Sequence, residues 1–409
     1  MSTIAAAESR VPSTFFLAFI HLQLLTIMVV GPMVIPNMAS EFSLTTIQVK
    51  SWTTAMLLGS GLVAFGAGAV SEAIGRRLVG MLAAGVVAGA ALLTMFAWDY
   101  WVVLVMAALM GTFASLADIN MDGYVGSVSK GKAASTMFSR VQMSSDLMTA
   151  VLAFVFGVLV FSVSGLWQWF FGMLAVINFL LLSMSAKEYP GGTRNAAALS
   201  EFGSHFRKGV GLLRMPAFLC VVGAATFGSS TVAAVVTDGP TALQVHTQSS
   251  GWVYGGTFGL LALMGSLGYL IGQQISKRSS PVVQLVIGSA MMAVAGACMI
   301  LAVVLAPGNS IALGLPMAAS FCGHTVVTSA ALASAVDLAR VESSVGASML
   351  TVFKRLVPLL LSVLLVGLTA TGTNQGPMTM SVAVFACAVL GLLCSLLCIR
   401  FQGDQVEAA

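Results

Sequence analysis

The sequence predicts an all-α membrane protein whose twelve transmembrane helices form two similar bundles of six. Three observations predict this fold: the chain is very apolar, its apolar runs have the length of membrane spans, and its basic residues cluster in alternate connections. Hydrophobic residues make up 58% of the 409 residues and charged residues only 8%, and the mean hydropathy is +0.98. Soluble domains carry roughly 25% charged residues, so this chain cannot cover itself with a hydrated surface and must lie in a bilayer.

The apolar runs justify the count of helices. A helix that spans the hydrocarbon core needs about 20 apolar residues, and the chain contains twelve such runs, which we number spans 1 to 12. They cover residues 14–38, 48–71, 78–98, 101–125, 135–162, 167–185, 215–237, 252–275, 282–305, 310–336, 345–370 and 377–399.

The longest polar stretch and a faint internal repeat justify the division into two bundles. Gly31-Pro32 near the outer end of span 1 is echoed by Gly239-Pro240 after span 7. Ser51-Trp52 near the start of span 2 is echoed by Gly251-Trp252 at the start of span 8. Both offsets are about half the chain length, as expected for bundles of parallel topology. The predicted N-terminal bundle, cytoplasmic central loop and C-terminal bundle cover residues 1–185, 186–214 and 215–409.

The basic residues predict the orientation. In a twelve-span arrangement, the lysines and arginines of the termini and connections fall on one side of the membrane, and Lys50 at the start of span 2 is the exception on the other side. Lysine and arginine are enriched in cytoplasmic connections. Both termini and the central loop should therefore be cytoplasmic, in a multi-pass protein of a bacterial inner membrane. The net charge of +4 arises from these connections and does not indicate nucleic-acid binding. The residues on the predicted cytoplasmic side are Arg10, Arg76, Arg77, Lys130, Lys132, Lys187, Arg194, Arg207, Lys208, Arg214, Lys277, Arg278, Arg340 and Arg400.

The sequence contains no signature of cofactor, metal or ATP chemistry. It has no Gly-x-x-x-x-Gly-Lys-Ser/Thr loop, no His-Glu-x-x-His, and no Gly-x-Ser-x-Gly nucleophile turn with a triad. All six cysteines lie inside apolar runs, which is typical of small packing residues. We therefore expect no cofactor, no metal and no enzymatic activity. We expect a monomer that has membrane lipids as partners.

The connection between spans 2 and 3 carries the most specific motif. Gly68 opens it, Glu72 lies one turn before Arg76, and Gly75 can supply the tight turn that precedes Arg76 and Arg77. This resembles the loop signature of the major facilitator superfamily, Gly-x-x-x-Asp-Arg-x-Gly-Arg-Arg, with Glu72 in place of the aspartate. The resemblance implies secondary transport by alternating access. It also implies a conformational role for these five residues, through a Glu72–Arg76 pair that holds one bundle against the other in the outward-open state.

A narrower resemblance is to the drug:proton antiporters of the bicyclomycin-resistance type. Ile35-Pro36 and Leu57-Leu58-Gly59 are similar to the first two helices of that branch, and Trp167-Gln168-Trp169-x-Phe171 is similar to its motif before span 6. The chain lacks two features of the branch: Ala107 replaces the usual arginine four residues before Gly111, and span 5 has no Gly-Pro motif. The resemblance implies proton-coupled efflux.

Charged side chains inside the spans are the candidate site, because each is costly in hydrocarbon. Asp118 and Asp122 share one face of span 4, since they are four residues apart. Span 5 places Asp146 near mid-membrane, on a stripe with Gln142, where it serves transport or neutralises Arg140 or another arginine. These carboxylates suit proton transfer or a cationic group, or else Asp118 and Asp122 simply face the cytoplasm at a helix end.

Span 11 carries two adjacent cations, Lys354 and Arg355, near mid-depth. Two such cations cannot easily both reach water, so one should face a water-filled cavity or an acid such as Asp118 or Asp146. Span 10 adds His324, either as a proton relay or as a hydrogen-bonded core residue. His21 in span 1 is a weaker candidate, and Asp238 is expected at the outer rim.

These residues predict a secondary transporter of a small organic solute, with proton-coupled efflux favoured. The alternative is an importer or exporter of an anionic or zwitterionic metabolite without proton antiport, which Lys354 and Arg355 would suit. A membrane-embedded enzyme using the three aspartates, and a structural or sensor protein, are the remaining alternatives. The repeat and the loop motif argue against the enzyme.

Overall fold

The computed structural model of the chain describes residues 13–128, 131–163, 165–189, 203, 207, 209–339, 343–370 and 376–407. Every regular element within these ranges is a helix. Eleven helices are long and apolar enough to cross a membrane, and a bent pair supplies the twelfth span. The predicted fold class is confirmed. Most of the central loop lies outside the described residues, so the predicted domain boundaries stay a prediction.

The helices match the predicted spans to within a few residues at most ends. Their bounds, in the order of spans 1 to 12, are Thr14–Asn37, Thr46–Ala64 with Ala67–Ile74, Arg76–Met95, Tyr100–Val128, Gly131–Leu159, Leu166–Glu188, Pro216–His246, Gly251–Ser276, Pro281–Leu305, Ser310–Ala339, Ser343–Ala370 and Pro377–Glu407.

Span 2 differs from its prediction because it is not one straight helix. It begins with a capping box in which Thr45 and Gln48 satisfy each other's backbone amides, and it bends by 61° between Ala64 and Ala67. At the bend the Gly66 amide bonds to the Val63 carbonyl, a shorter repeat than the α-helical one. The hydrophobic run is continuous across this point, so hydropathy alone could not reveal the break.

Consecutive spans run in alternating directions, so the connections at Arg76–Arg77 and Lys277–Arg278 and the helix end at Arg400 share one end of the molecule. We call it the basic end, and the other the opposite end. A single hydrophobic core at the opposite end contains residues of both bundles, including Trp52, Phe156 and Phe258. Towards the basic end the described clusters each belong to one bundle. The two bundles therefore pack together at the opposite end and have separate cores at the basic end.

Close helix contacts hold the opposite end shut. Spans 5 and 8 approach so tightly that a Cβ at Gly255 would lie 2.6 Å from the Phe154 carbonyl oxygen, and one at Gly157 would lie 2.4 Å from the Gly255 Cα. The Tyr254 hydroxyl donates to the Met33 carbonyl at 3.1 Å. Small residues allow this backbone approach between membrane helices, so this interface depends on glycine.

Candidate substrate and coupling site

Arg355 reaches from span 11 into the N-terminal bundle and forms the centre of the site. One terminal nitrogen donates to the Asp118 carboxylate at 3.0 Å. The other donates to the hydroxyls of Ser60, at 2.7 Å, and Ser115, at 2.9 Å. Asp118 is only 6% exposed. Because Asp118 and Arg355 belong to different bundles, this buried ion pair ties the bundles together near mid-membrane.

His21 completes the pair on its other side. Its Nδ1 lies 2.7 Å from the second Asp118 oxygen. The sequence made His21 a weak candidate, although a titratable residue inside a predicted span was a signal in its favour. The structure makes it a direct partner of the central carboxylate. A carboxylate between an arginine and a histidine, all within spans, is an arrangement whose charge one proton can change.

Glycines in spans 2 and 4 explain why the two serines are available to Arg355. A Cβ at Gly59 would lie 2.0 Å from the Ala108 carbonyl oxygen, and one at Gly111 would lie 2.1 Å from that of Met56. The two helices therefore touch backbone to backbone at these points. This contact brings the Ser60 and Ser115 hydroxyls to 2.6 Å from each other, where they form one polar patch facing Arg355.

Lys354 and Asp122 are near the Asp118–Arg355 ion pair but are not part of it. Both side chains are half-buried, and neither forms an ion pair or hydrogen bond with the described residues. They lie within electrostatic range of each other and of Asp118. Asp122 is one helical turn, about 6 Å, nearer the basic end than Asp118. A cation of the C-terminal bundle and a carboxylate of the N-terminal bundle thus face one region without pairing.

Asp146 lies at the contact between spans 5 and 8. It is 8% exposed, and a Cβ at Gly265 of span 8 would lie 2.8 Å from its Oδ2. This oxygen is buried and has no hydrogen-bond partner among the described residues. Arg140 is exposed, so the predicted alternative of an Asp146–Arg140 pair is wrong. Gln142 is half-buried one turn away and makes no hydrogen bond within the described chain.

His324 of span 10 lies on the C-terminal side of the site. Its Nε2 is 3.4 Å from the Thr328 hydroxyl, and its Nδ1 lies beside span 7, 3.7 Å from where a Cβ at Gly228 would be. Lys354 is within electrostatic range. The histidine therefore contributes to the charged group from the C-terminal bundle, while His21 does so from the N-terminal bundle.

A second ion pair between the bundles was missed by sequence reasoning. Lys50 at the start of span 2 and Asp238 in span 7 are 2.5 Å apart and are 3% and 1% exposed. The expectation that Asp238 lies at the rim is wrong, because span 7 continues through Pro240 as far as His246. The continuation buries Asp238 within the opposite end.

The loop motif adopts the predicted turn but not the predicted ion pair. Gly75 has φ +95°, which only glycine adopts readily. No ion pair joins Glu72 to Arg76, although both are described; Glu72, Gly68 and Arg77 are exposed. Since the helix ends at Ile74, the spacing of four no longer places them one helical turn apart.

Arg76 instead contacts span 4 of its own bundle. Its guanidinium lies over the Tyr124 ring at 5.5 Å from the centroid, in a cation–π geometry. Its carbonyl accepts from Asn120 at 3.0 Å. The Glu72–Arg76 pair between the bundles is predicted for the outward-open state. In this structure the bundles pack together at the opposite end and the described contacts of Arg76 lie within the N-terminal bundle, so the role of that pair stays a prediction.

Metal binding finds no support in the described chain, because no group of three or more His, Cys, Asp or Glu side chains in it could hold an ion. All six cysteines are free thiols. What the arrangement can do chemically is bind charged groups and exchange protons between spans of different bundles.

Two helical bundles with buried charges at their junction are typical of membrane transport proteins. The chain belongs to the Major Facilitator Superfamily, whose family profile matches residues 14–362. This is a family of transporters and not of enzymes, so the enzyme alternative is set aside. The narrower resemblance to drug:proton antiporters stays a prediction.

Comparison with individual proteins agrees with this family. The chain is 25% identical over 149 residues to the galactose-proton symporter of Escherichia coli (strain K12). The aligned segment covers 36% of this chain and 32% of the symporter. It thus aligns with about a third of the length of the curated relatives it matches.

Two solved structures share the fold over most of the chain. The xylose transporter XylE from E. coli, in a partially occluded inward open conformation, has a TM-score of 0.71, 12% identity and coverage of 95% of this chain and 98% of that one. A POT family transporter in complex with 5-aminolevulinic acid has a TM-score of 0.73, 12% identity and coverage of 96% and 95%. At this identity the likeness extends to the fold alone.

Proposed function

We propose that this protein is a proton-coupled secondary transporter of a small polar organic solute that works by alternating access. The observation that carries the proposal is the His21–Asp118–Arg355 network, in which one carboxylate of the N-terminal bundle binds an arginine of the C-terminal bundle. Protonation of Asp118 removes the charge that holds Arg355. A proton can therefore change how strongly the two bundles are tied together, which is what coupling requires.

The charge balance of the site supports a role for one proton. Three carboxylates, Asp118, Asp122 and Asp146, lie in electrostatic range of the His21 ring, and two cations, Lys354 and Arg355, lie in range of Asp118. With neutral His21, three negative charges face two positive ones. Because uncompensated charge is costly in a membrane, one proton on His21 or Asp118 makes the group neutral and ready to move.

The packing of the bundles supports alternating access. Shared packing at the opposite end and separate cores at the basic end are what a transporter closed at one end requires. If the basic end is cytoplasmic, as the lysine and arginine bias predicts, this state is open to the cytoplasm. That orientation, and location in a bacterial inner membrane, are part of the proposal.

We propose symport as the direction of coupling, because the proton network and the uncommitted charges are different groups. Asp118, His21 and Arg355 bind one another, whereas Lys354 and Asp122 remain available to a solute. Both sites can then be occupied together. Proton-coupled efflux by antiport is the second candidate, favoured by the electrostatic coupling of Asp122 to Asp118, since a cation bound at Asp122 would compete with a proton.

The test is solute-evoked proton movement in proteoliposomes that contain a pH-sensitive dye. D-galactose, D-xylose, L-alanine and 4-aminobutyrate are added in turn with and without an imposed pH gradient. We expect at least one solute to move protons in its own direction; movement in the reverse direction would establish antiport.

The variants Asp118→Asn and His21→Gln should abolish this proton movement, and Arg140→Gln, at an exposed position of span 5, is the matched control. Solute flux in the wild type that ignores the gradient and survives Asp118→Asn unchanged would contradict proton coupling.

A further inference from the structure

We propose that Lys354 and Asp122 form a binding site for a zwitterionic solute, one that carries an ammonium and a carboxylate group. The solute's carboxylate would bind Lys354 and its ammonium would bind Asp122. This inference rests on the proposed transport function and names the class of substrate that the same region takes.

The first step is that Arg355 is already engaged. Its two terminal nitrogens bind Asp118, Ser60 and Ser115, so a ligand could reach them only by displacing contacts within the protein. Arg355 is therefore a positioning group that links the bundles. The cation left for a ligand on span 11 is its neighbour Lys354.

The second step is that Lys354 and Asp122 are both uncommitted. Each is half-buried in a span, and neither makes an ion pair or hydrogen bond within the described chain. Single unpartnered charges in a membrane are costly and mark functional sites. Two of opposite sign that lie within electrostatic range would ordinarily be expected to pair. They do not, and they belong to different bundles, so a ligand between them can reach both.

The third step is charge complementarity. The groups around the pair are His21 on span 1, Asp118 on span 4, Arg355 on span 11 and His324 on span 10. An anionic solute would satisfy Lys354 but add negative charge beside two aspartates. A cationic solute would satisfy Asp122 but add positive charge beside Arg355. A neutral sugar would satisfy neither charge fully. A zwitterion satisfies both and leaves the net charge, and hence the proton site, unchanged.

The experiment uses the full-length protein in detergent and follows its thermal unfolding, since a ligand that binds the folded state raises the unfolding temperature. The zwitterions are L-alanine, 4-aminobutyrate and 5-aminovalerate, which differ in the distance between their charges. Butyrate and butylammonium are the single-charge controls, and D-galactose is the neutral one. We expect at least one zwitterion to stabilise the protein at concentrations where its single-charge relatives do not.

Two variants then assign the charges by cross-selectivity. For the best zwitterion, Lys354→Gln should weaken binding about tenfold or more, as expected for loss of a charge-assisted hydrogen bond. Binding of its carboxamide analogue, which lacks the negative charge, should be the same in both proteins. Asp122→Asn should weaken binding of the zwitterion but not of its N-acetyl analogue. Arg140→Gln is the control and should leave all affinities unchanged.

Several results would overturn the proposal. The first is that no zwitterion in the panel stabilises the protein. The second is that butyrate, butylammonium or galactose stabilises it as much as the best zwitterion does. The third is that Lys354→Gln binds the zwitterion with the affinity of the wild type. If a variant does not fold, the proposal is tested on the wild-type protein alone: the zwitterion should stabilise it more than the carboxamide and N-acetyl analogues do, and equal or weaker stabilisation would overturn the proposal. Binding in detergent needs no proton gradient, so failure here is distinct from failure of proton coupling, which is measured by flux in vesicles.

Discussion

The buried Lys50–Asp238 pair should act as a latch that keeps the opposite end closed. It joins span 2 of one bundle to span 7 of the other, and both side chains are at most 3% exposed. We expect Asp238→Asn to remove the carboxylate that neutralises the buried Lys50 charge. Opening of the opposite end would hydrate that charge, so the variant should shift the equilibrium towards the state that is open there.

The magnitude follows from the burial of the pair. Breaking a buried ion pair on one side costs about 3–5 kcal/mol. At about 1.4 kcal/mol for each tenfold change, that cost can shift the equilibrium by about 140-fold to about 4,000-fold. Replacing both residues, as in Lys50→Met with Asp238→Leu, removes both charges and should return the equilibrium close to that of the wild type.

The assay is the labelling rate of Met33→Cys with a membrane-impermeant maleimide, in a background without the six native cysteines. Met33 is fully buried in the shared core and its carbonyl binds Tyr254 of the other bundle. Labelling should accelerate with Asp238→Asn and return to the wild-type rate in the double variant.

Two further cysteines separate opening from unfolding. Met292→Cys, buried within the C-terminal bundle, should stay unreactive in every variant. Asn309→Cys, exposed at the opposite end, should react in all of them. Unchanged labelling of Met33→Cys in a folded Asp238→Asn protein, or fast labelling in the double variant, would refute the latch.

Two glycine substitutions test the remaining contacts, each against a matched glycine. Gly255→Val should prevent close packing of spans 5 and 8, because its Cβ would lie 2.6 Å from a carbonyl oxygen; it should expose the opposite end to maleimide and lower flux, whereas Gly256→Val, with no atom within 4 Å, should do neither. Gly75→Ala places a side chain at φ +95° at a cost of about 1–3 kcal/mol. It should slow transport without changing the order of preferred solutes, and Gly85→Ala, at a helical position of span 3 with no atom within 4 Å, should be silent. A changed order of solutes in Gly75→Ala would contradict a purely conformational role.

The sequence by itself determined the number of spans, most of their ends to within a few residues, and the all-α class. The thickness of the hydrocarbon core sets the length of an apolar helix. Backbone in that core has no water to bond, so it must satisfy its own polar groups in a helix. The length and the helical state of each span can therefore be inferred from the composition along the chain. It also identified the turn at Gly75, because a positive φ is a local property of one residue type. Asp118, Lys354 and Arg355 were identified as candidate site residues for a similar reason: a charge inside a span is visible in any sequence.

Only the tertiary structure decided which charges meet. His21 and Asp118 are 97 residues apart, and Asp118 and Arg355 are 237 residues apart. Their pairing depends on how each helix is rotated and tilted against its neighbours. Those angles are set by backbone contacts at small residues such as Gly59 and Gly111. The spacing of residues within one helix does not predict such contacts between helices. The bend in span 2 and the burial of Asp238 escaped sequence reasoning because hydropathy reports whether a segment is apolar, and not where the helix breaks or what covers it.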